Sequence, residues 1–325
     1  MFCRCSIVSS FFFHLLFLFL FAGCSDDPAI IDPRGAGSVN KPTDLPREDG
    51  EFIFADGSSY VGELAQEKPD GFGKRKFLNG DIYEGDFRNG RQSGEGTMVY
   101  RGNASLRRYE GAWAADKRHG RGALEYSNGA IRWGLWTNDS FERGSLEDES
   151  GVVYTGIWQG DVLISGTAQW ADGSSFTGIW ENGTYKDGTL VNAQGDRYVG
   201  LFRSTQYQGL GSLERRNGEV YVGQFEDSLY HGVGRLEFAD GITRSGQFKD
   251  GMLNGQGKQV DPSGVEYLGS WMNGRRHGGG VLSFADGSRF EGEFQNGLAV
   301  DGQYYWADGR VTRSYQDENG EWKDR

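Results

Sequence analysis

The sequence predicts an all-β fold, an elongated single-layer antiparallel meander of about eleven β-hairpin repeats, and three observations carry that expectation. Glycine supplies 53 of the 325 residues and aromatic residues 14%, against only 6 prolines. Each interior glycine costs a helix about 1 kcal/mol relative to alanine, so helices are disfavoured along the whole chain. A triplet, Tyr60, Gly62, Leu64, returns as Tyr83, Gly85, Phe87, as Tyr154, Gly156, Trp158 and so on to Phe290, Gly292, Phe294, eleven times with a period of 22 or 23 residues that stretches once to 26. A fixed period of that length marks a repeat architecture. Between triplets runs a second segment, such as Gly71, Gly73 and Phe77, which closes at Asn79-Gly80, Asp240-Gly241 or Asp286-Gly287. Asn-Gly and Asp-Gly predict two-residue type I′ hairpin turns, whose central residues both need a positive φ.

Residues 1–23 read as a secretory signal, with Arg4 ahead of an apolar core of Phe11, Phe12, Phe13, Leu15, Leu16 and Leu18 that ends in Ala22 and Gly23. His14 and the lack of a positive flank after the core argue against a spanning anchor. All three cysteines lie at positions 3, 5 and 24, so no disulfide framework is expected beyond Cys24. Residues 24–50 contain four of the six prolines and no apolar periodicity, which predicts an extended, disordered tether. Residues 51–312 form the repeat sheet, opened by an incomplete repeat at Phe52, Phe54 and Asp56-Gly57, and residues 313–325 read as a polar C-terminal cap.

Spacing by two places both aromatics and the glycine of a triplet on one face of a strand, while residues such as Glu84 and Asp86 face the other way. Glycine weakens a strand unless something needs the space, and a bulky ring from a neighbouring strand is the expected occupant. Two strands per repeat at about 4.8 Å give a body of roughly 105 Å.

Two resemblances follow from these residues. Leu20, Phe21, Ala22, Gly23, Cys24 resembles the bacterial lipobox, with Phe21 where Leu, Val or Ile is usual. That resemblance implies cleavage before Cys24, a diacylglycerol on its sulfur and, with Ser25 next, a place in the bacterial cell envelope on the outer membrane, facing the periplasm or the cell surface. The Tyr-x-Gly-x-Trp/Phe triplet, the following Gly-x-Gly and the Asp-Gly or Asn-Gly turn resemble the MORN (membrane occupation and recognition nexus) repeat family over about residues 52–312. The resemblance implies a non-catalytic binding scaffold, since family members that are enzymes carry a separate catalytic domain.

The residues point the same way. The formal charge is −12, and removal of Arg4 with the signal takes it to −13, which argues against nucleic acid as a partner. His119, His231 and His277 each precede a Gly-x-Gly in different repeats, roughly 19 to 67 Å apart at sheet spacing, too far to share a metal ion. No nucleophile elbow, phosphate loop or metal-spaced cluster is present, so neither catalytic residues nor a cofactor are expected.

Repeats four, five and six differ from the rest. Glu142, Ile164 and Lys186 replace the first glycine of the pair, five of the nine tryptophans gather there, and the outward positions gain Leu135, Ile157, Ile179 and Leu201. An exposed apolar strip marks an interaction surface. Trp133, Trp136, Ile157, Trp158, Trp170, Ile179 and Trp180 are therefore the candidate partner-binding residues, for a protein partner as yet unidentified. The membrane would be reached through the lipid on Cys24. Phospholipid binding is the alternative that the family name implies, and ring stacking on a glycan or peptidoglycan is another.

Overall fold

A computed structural model describes residues 47–325, where twenty-five strands follow one another and each pairs antiparallel with its sequence neighbours. The order runs from β1 (Glu48–Ile53), β2 (Ser59–Ala65) and β3 (Lys68–Lys76) to β22 (Arg289–Gln295), β23 (Leu298–Tyr305), β24 (Val311–Gln316) and β25 (Trp322–Asp324). This is the expected all-β meander, and the eleven triplets occupy the even-numbered strands from β2 to β22. Cys24 and the signal segment lie outside the described residues. The sheet is longer than its sequence boundaries at both ends: β1 starts inside the stretch assigned to the tether, and β24 and β25 continue through the stretch read as a cap.

One row explains the register. Gly50 faces Gly62, Gly62 faces Gly73, Gly73 faces Gly85, and the glycine row continues strand by strand to Gly292 and Gly302, where Ser314 ends it. Rings close over this row. A β-carbon on Gly73 would clash with the phenol end of Tyr60, one on Gly96 with that of Tyr83, and one on Gly122 with that of Tyr109. The rings then meet edge to face from repeat to repeat, as in Tyr60–Phe87 at 4.8 Å, Tyr83–Trp113 at 5.2 Å and Tyr198–Phe225 at 5.1 Å. Each such pair contributes about 0.5–1.5 kcal/mol beyond its buried area. Tyr83, Tyr109, Tyr198 and Tyr221 are completely buried in a sheet with no second layer, because neighbouring rings cover them. Where Arg132 takes the tyrosine's place, its guanidinium lies 5.1 Å from both the Phe141 and Trp158 rings and pairs with Asp161.

The turn assignment needs correcting. At Asn79-Gly80, Asp240-Gly241 and Asp286-Gly287 only the glycine has a positive φ. The loops are three residues long, closed by Gly80 N–H to Phe77 O (3.0 Å) and Gly287 N–H to Phe284 O (3.0 Å). That is a type I turn with a left-handed third residue. Type I′ turns sit at the opposite end of the hairpins, at Asn89-Gly90, Asn182-Gly183, Asp250-Gly251, Asn273-Gly274 and Asn296-Gly297, where both residues have positive φ. The aspartate earns its place in the three-residue loops differently: Asp286 Oδ1 accepts from Ser288 N (2.9 Å) and Ser288 Oγ (2.6 Å). The hydroxyl bond and then the amide bond from Ser288 hold the Asp286 carboxyl below its usual range.

Two kinds of bulge divide the repeats. In the wide kind, Gly62 faces Gly73 but Leu64 faces Pro69, so three residues of β3 stand against one of β2. The first glycine of the pair lies in this bulge with a left-handed backbone, φ +73° at Gly94 and +65° at Gly209, a conformation costing any L side chain about 1–2 kcal/mol. The narrow kind loops out one residue. In β10 (Val153–Gln159) and β11 (Val162–Gln169), Ile157 faces Ser165 while Trp158 faces Leu163, leaving Ile164 in the bulge. Glu142 in β9 (Ser140–Glu147), paired with β8 (Ile131–Thr137), and Lys186 in β13 (Thr184–Val191), paired with β12 (Ser175–Glu181), are its counterparts. None of the three has a positive φ, so none needs to be glycine. The eleventh repeat is also narrow, with Val300 looped out, which the sequence analysis did not foresee.

The bulge decides how repeats join. After each wide repeat, the next type I′ turn donates an amide back to it: Gly90 to Pro69 O (2.8 Å), Asp116 to Gln92 O (3.0 Å), Asp139 to Arg118 O (3.0 Å), Ser228 to Tyr207 O (3.0 Å) and Gly251 to Tyr230 O (2.9 Å). Gly274 and Gly297 make the same bond to Leu253 and Arg276. Among the described residues, no such stitch follows repeats four, five and six.

Candidate interaction surface

The sheet has a ring face and an outer face, and the seven sequence-selected residues are divided between them. Trp136, Trp158 and Trp180 lie on the ring face, only 3%, 6% and 8% exposed. Their indole N–H groups donate to Gly122 O (3.2 Å), Gly144 O (3.1 Å) and Gly166 O (3.3 Å). They are the sheet's own core and offer no surface to a partner. Ile157 and Ile179 lie on the opposite face, 45% and 48% exposed. Trp133 is half-buried on that outer face between Ala123 and Ser145. Trp170 is half-buried at a three-residue turn, its ring 6.2 Å from that of Tyr185.

Pairing lines the outer residues into rows. Leu135, Arg143, Ile157, Ser165, Ile179, Asp187 and Leu201, the last on β14 (Arg197–Arg203), face one another in succession and all are exposed. Beside them runs Trp133, Ser145, Thr155, Thr167, Thr177, Thr189 and Val199. Hydroxyls pair across strands in this row, Ser145 with Thr155 at 2.7 Å and Thr167 with Thr177 at 2.9 Å. In the flanking repeats the same row carries charges among its uncharged residues, at Lys74 and Glu84 on one side and at Arg235 and Lys258 on the other. The middle of the molecule therefore carries an uncharged hydroxyl row next to a row in which apolar side chains alternate with polar ones. Sequence analysis found Leu135, Ile157, Ile179 and Leu201 but missed Arg143, Asp187 and the threonines. The signal was present in the residues flanking each row glycine, read strand by strand.

A shallow cleft of about 440 Å³ opens beside Trp170 and Tyr185, bordered by Asp172, Ser174, Asn192 and Gln194. Gln194 also borders a neighbouring cleft of about 520 Å³ lined by Asp196, Arg215, Arg216 and Asn217. Phe238 and Phe284 hold the position before the turn in later repeats, whereas Asn192 and Arg215 hold it here, and the smaller or polar side chains leave the space unfilled. The Ser174 hydroxyl lowers the pKa of Asp172, and the Arg216 backbone N–H lowers that of Asp196.

The histidines do not converge. His119 is exposed, His231 Nδ1 lies 3.2 Å from Glu226, and the buried Nδ1 of His277 has no hydrogen-bond partner. Among the described residues no group of three or more His, Cys, Asp or Glu is arranged to hold a metal ion.

An open sheet of stacked hairpins with its core on one face defines a β-hairpin repeat protein of the single-layer kind. The family model for the MORN repeat matches residues 60–82, 83–104, 109–131, 221–243, 245–266, 267–289 and 290–309, so the chain contains seven MORN repeats. The unmatched stretch between them coincides with the three consecutive narrow-bulge repeats and the one after them. No curated protein sequence matches this chain. Among solved structures, the G-box domain of the microcephaly protein CPAP is 14% identical, covering 69% of this chain and 100% of that one, with a TM-score of 0.28. The TCP10 domain of Danio rerio CPAP is 10% identical over 85% of this chain and 99% of its own, with a TM-score of 0.19. Virginiamycin B lyase from Staphylococcus aureus is 11% identical over 87% and 85%, with a TM-score of 0.13. Likeness at these scores carries no argument.

Proposed function

We propose that this protein is a non-catalytic scaffold of the cell envelope, tethered by a lipid on Cys24 and binding a protein partner through the outer face of its central repeats. The observation that carries the reading is the exposed row from Leu135 to Leu201 beside the uncharged threonine row, where apolar side chains and hydroxyls line up over seven consecutive strands. The rings that would serve a conventional pocket are spent on the sheet's own core. Affinity then comes from complementarity over several strands, with Ile157 and Ile179 at the centre where water is best excluded. Ile157→Lys together with Ile179→Lys is expected to abolish recovery of the partner in a pull-down from native membranes while leaving the β-sheet circular dichroism unchanged. Undiminished recovery from the folded variant would count against the reading. Among the described residues no helix is long and apolar enough to cross a membrane, and attachment through Cys24 is checked by whether globomycin blocks processing of the precursor.

A glycan reading has one observation in its favour, the cleft where the Trp170 and Tyr185 rings stand beside Asp172, Asn192 and Gln194. The phospholipid alternative has less support, because a charge of −13 after the signal repels anionic headgroups.

A further inference from the structure

The central outer face is self-complementary, and we infer that the partner it binds is a second copy of this chain. The inference rests on the scaffold reading above and names its occupant. Numbered outward from β11, the exposed row reads Ser165 at the centre, then Ile157 and Ile179, then Arg143 and Asp187, then Leu135 and Leu201. Equivalent strands on the two sides carry the same apolar residue type and opposite charges. The single-residue bulges repeat the pattern with the signs exchanged: Ile164 is central on β11, Glu142 lies on β9 and Lys186 on β13.

A two-fold axis in the interface plane along β11 superposes β9 of one copy on β13 of the other and β8 on β14. Rotation about that axis keeps height along the strands and reverses order across them. Arg143 of each copy then meets Asp187 of the other, Glu142 meets Lys186, Ile157 meets Ile179 and Leu135 meets Leu201. Such an isologous contact closes on itself, the usual symmetry of a homodimer. The second row agrees, with Thr167 on the axis, Thr155 opposite Thr177, Ser145 opposite Thr189, and the bulky Trp133 and Val199 at the ends. Lys186 Nζ is engaged within its own chain with Glu181 Oε1 at 2.9 Å, an exposed pair of the kind that contributes little and yields readily to a better one.

Seven strands at about 4.8 Å, taken over their full length of about 20 Å along the strand, present roughly 600 Å² per copy, at the low end of specific interfaces. A reversible dimer follows. Two aligned sheet faces pack about 10 Å apart.

Charge exchange tests this directly, because all four ionic residues are exposed and their substitution leaves the ring face intact. E142K/R143D gives β9 the signs of β13, and K186E/D187R gives β13 the signs of β9. The full-length chain in mild detergent would be followed by sedimentation velocity up to about 100 μM, a range that covers a weak interface. The wild type is expected to dimerise and each variant to do so at least about tenfold more weakly, because like charges then face each other. An equimolar mixture of the two variants is expected to restore the dimer, since each now complements the other. A monomeric wild type, a dimer indifferent to both exchanges, or a mixture that stays monomeric would each overturn the inference. The scaffold reading fails separately: a monomeric wild type that still captures a different protein, lost with Ile157→Lys and Ile179→Lys, removes self-association and leaves the scaffold.

Discussion

Gly96 shows how one missing side chain supports a layer. A β-carbon there would clash with the phenol end of Tyr83, whose hydroxyl donates to Asp86 O at 3.0 Å and so cannot simply retreat. Gly90, in a type I′ turn at φ +80°, has nothing within 4 Å of such a carbon. Gly96→Ala should therefore cost about 3 kcal/mol by overpacking. Gly90→Ala should cost only about 1 kcal/mol, from its backbone conformation alone. Urea unfolding of the two variants makes the comparison, and equal losses would mean that the ring yields and the glycine row is not a packing device. This pairing was legible in the sequence because ring and glycine sit at fixed offsets in every repeat. The burial of Trp136, Trp158 and Trp180 was not. Their gathering in sequence looks like a surface patch, but exposure is decided by rings such as Phe141 and Tyr185, which arrive from adjacent strands and cover them.

At the scale of the element, hairpin order and register could be read because glycine must face glycine, while the ends of the hairpins could not. Asn79-Gly80 and Asn89-Gly90 are the same dipeptide, yet only the second has both residues at positive φ. The difference is made by loop length: Phe77 pairs across a three-residue loop to Asp81, whereas Arg88 and Arg91 pair directly across two residues. Bulge width was half legible. The lost glycines at Glu142, Ile164 and Lys186 flagged narrow bulges, but the consequence, the missing stitch between neighbouring repeats, depends on where Asp139 or Ser228 points its amide in space. That missing bond has a measurable effect. Opening free energy tracks local hydrogen bonding and packing. Hydrogen exchange should accordingly be about tenfold faster over residues 140–190 than over residues 206–260, with the Gly183 amide unprotected and the Ser228 amide protected. Uniform protection along the sheet would show that the stitches contribute nothing.

Across the whole molecule, every strand pairs only with its neighbours in sequence, so stability is a sum of hairpin terms and nearest-neighbour terms. A sheet of this kind can lose a unit and keep its register if the cut respects the period. Removal of residues 224–246 joins Gly223 to Gln247 and rebuilds a complete triplet from Tyr221, Gly223 and Phe248. It also preserves the wide bulge and the stitch on either side, because the flanking repeats are of the same class. The shortened chain should therefore fold cooperatively, with a urea m-value lower by about one part in eleven, since m follows the surface exposed on unfolding. Removal of residues 224–234 alone cuts half a period. Gly223 then takes the place of Gly234 and runs into Arg235, strand direction inverts for everything downstream, and Phe248, which faced Gly232, meets Tyr221 instead. The two deletions differ by only a dozen residues, yet the shorter one should cost more: a lower denaturation midpoint or a loss of the cooperative transition. If both chains unfolded alike, the alternation of ring-bearing strands with strands that offer a second glycine beneath the ring would contribute nothing to the sheet's stability.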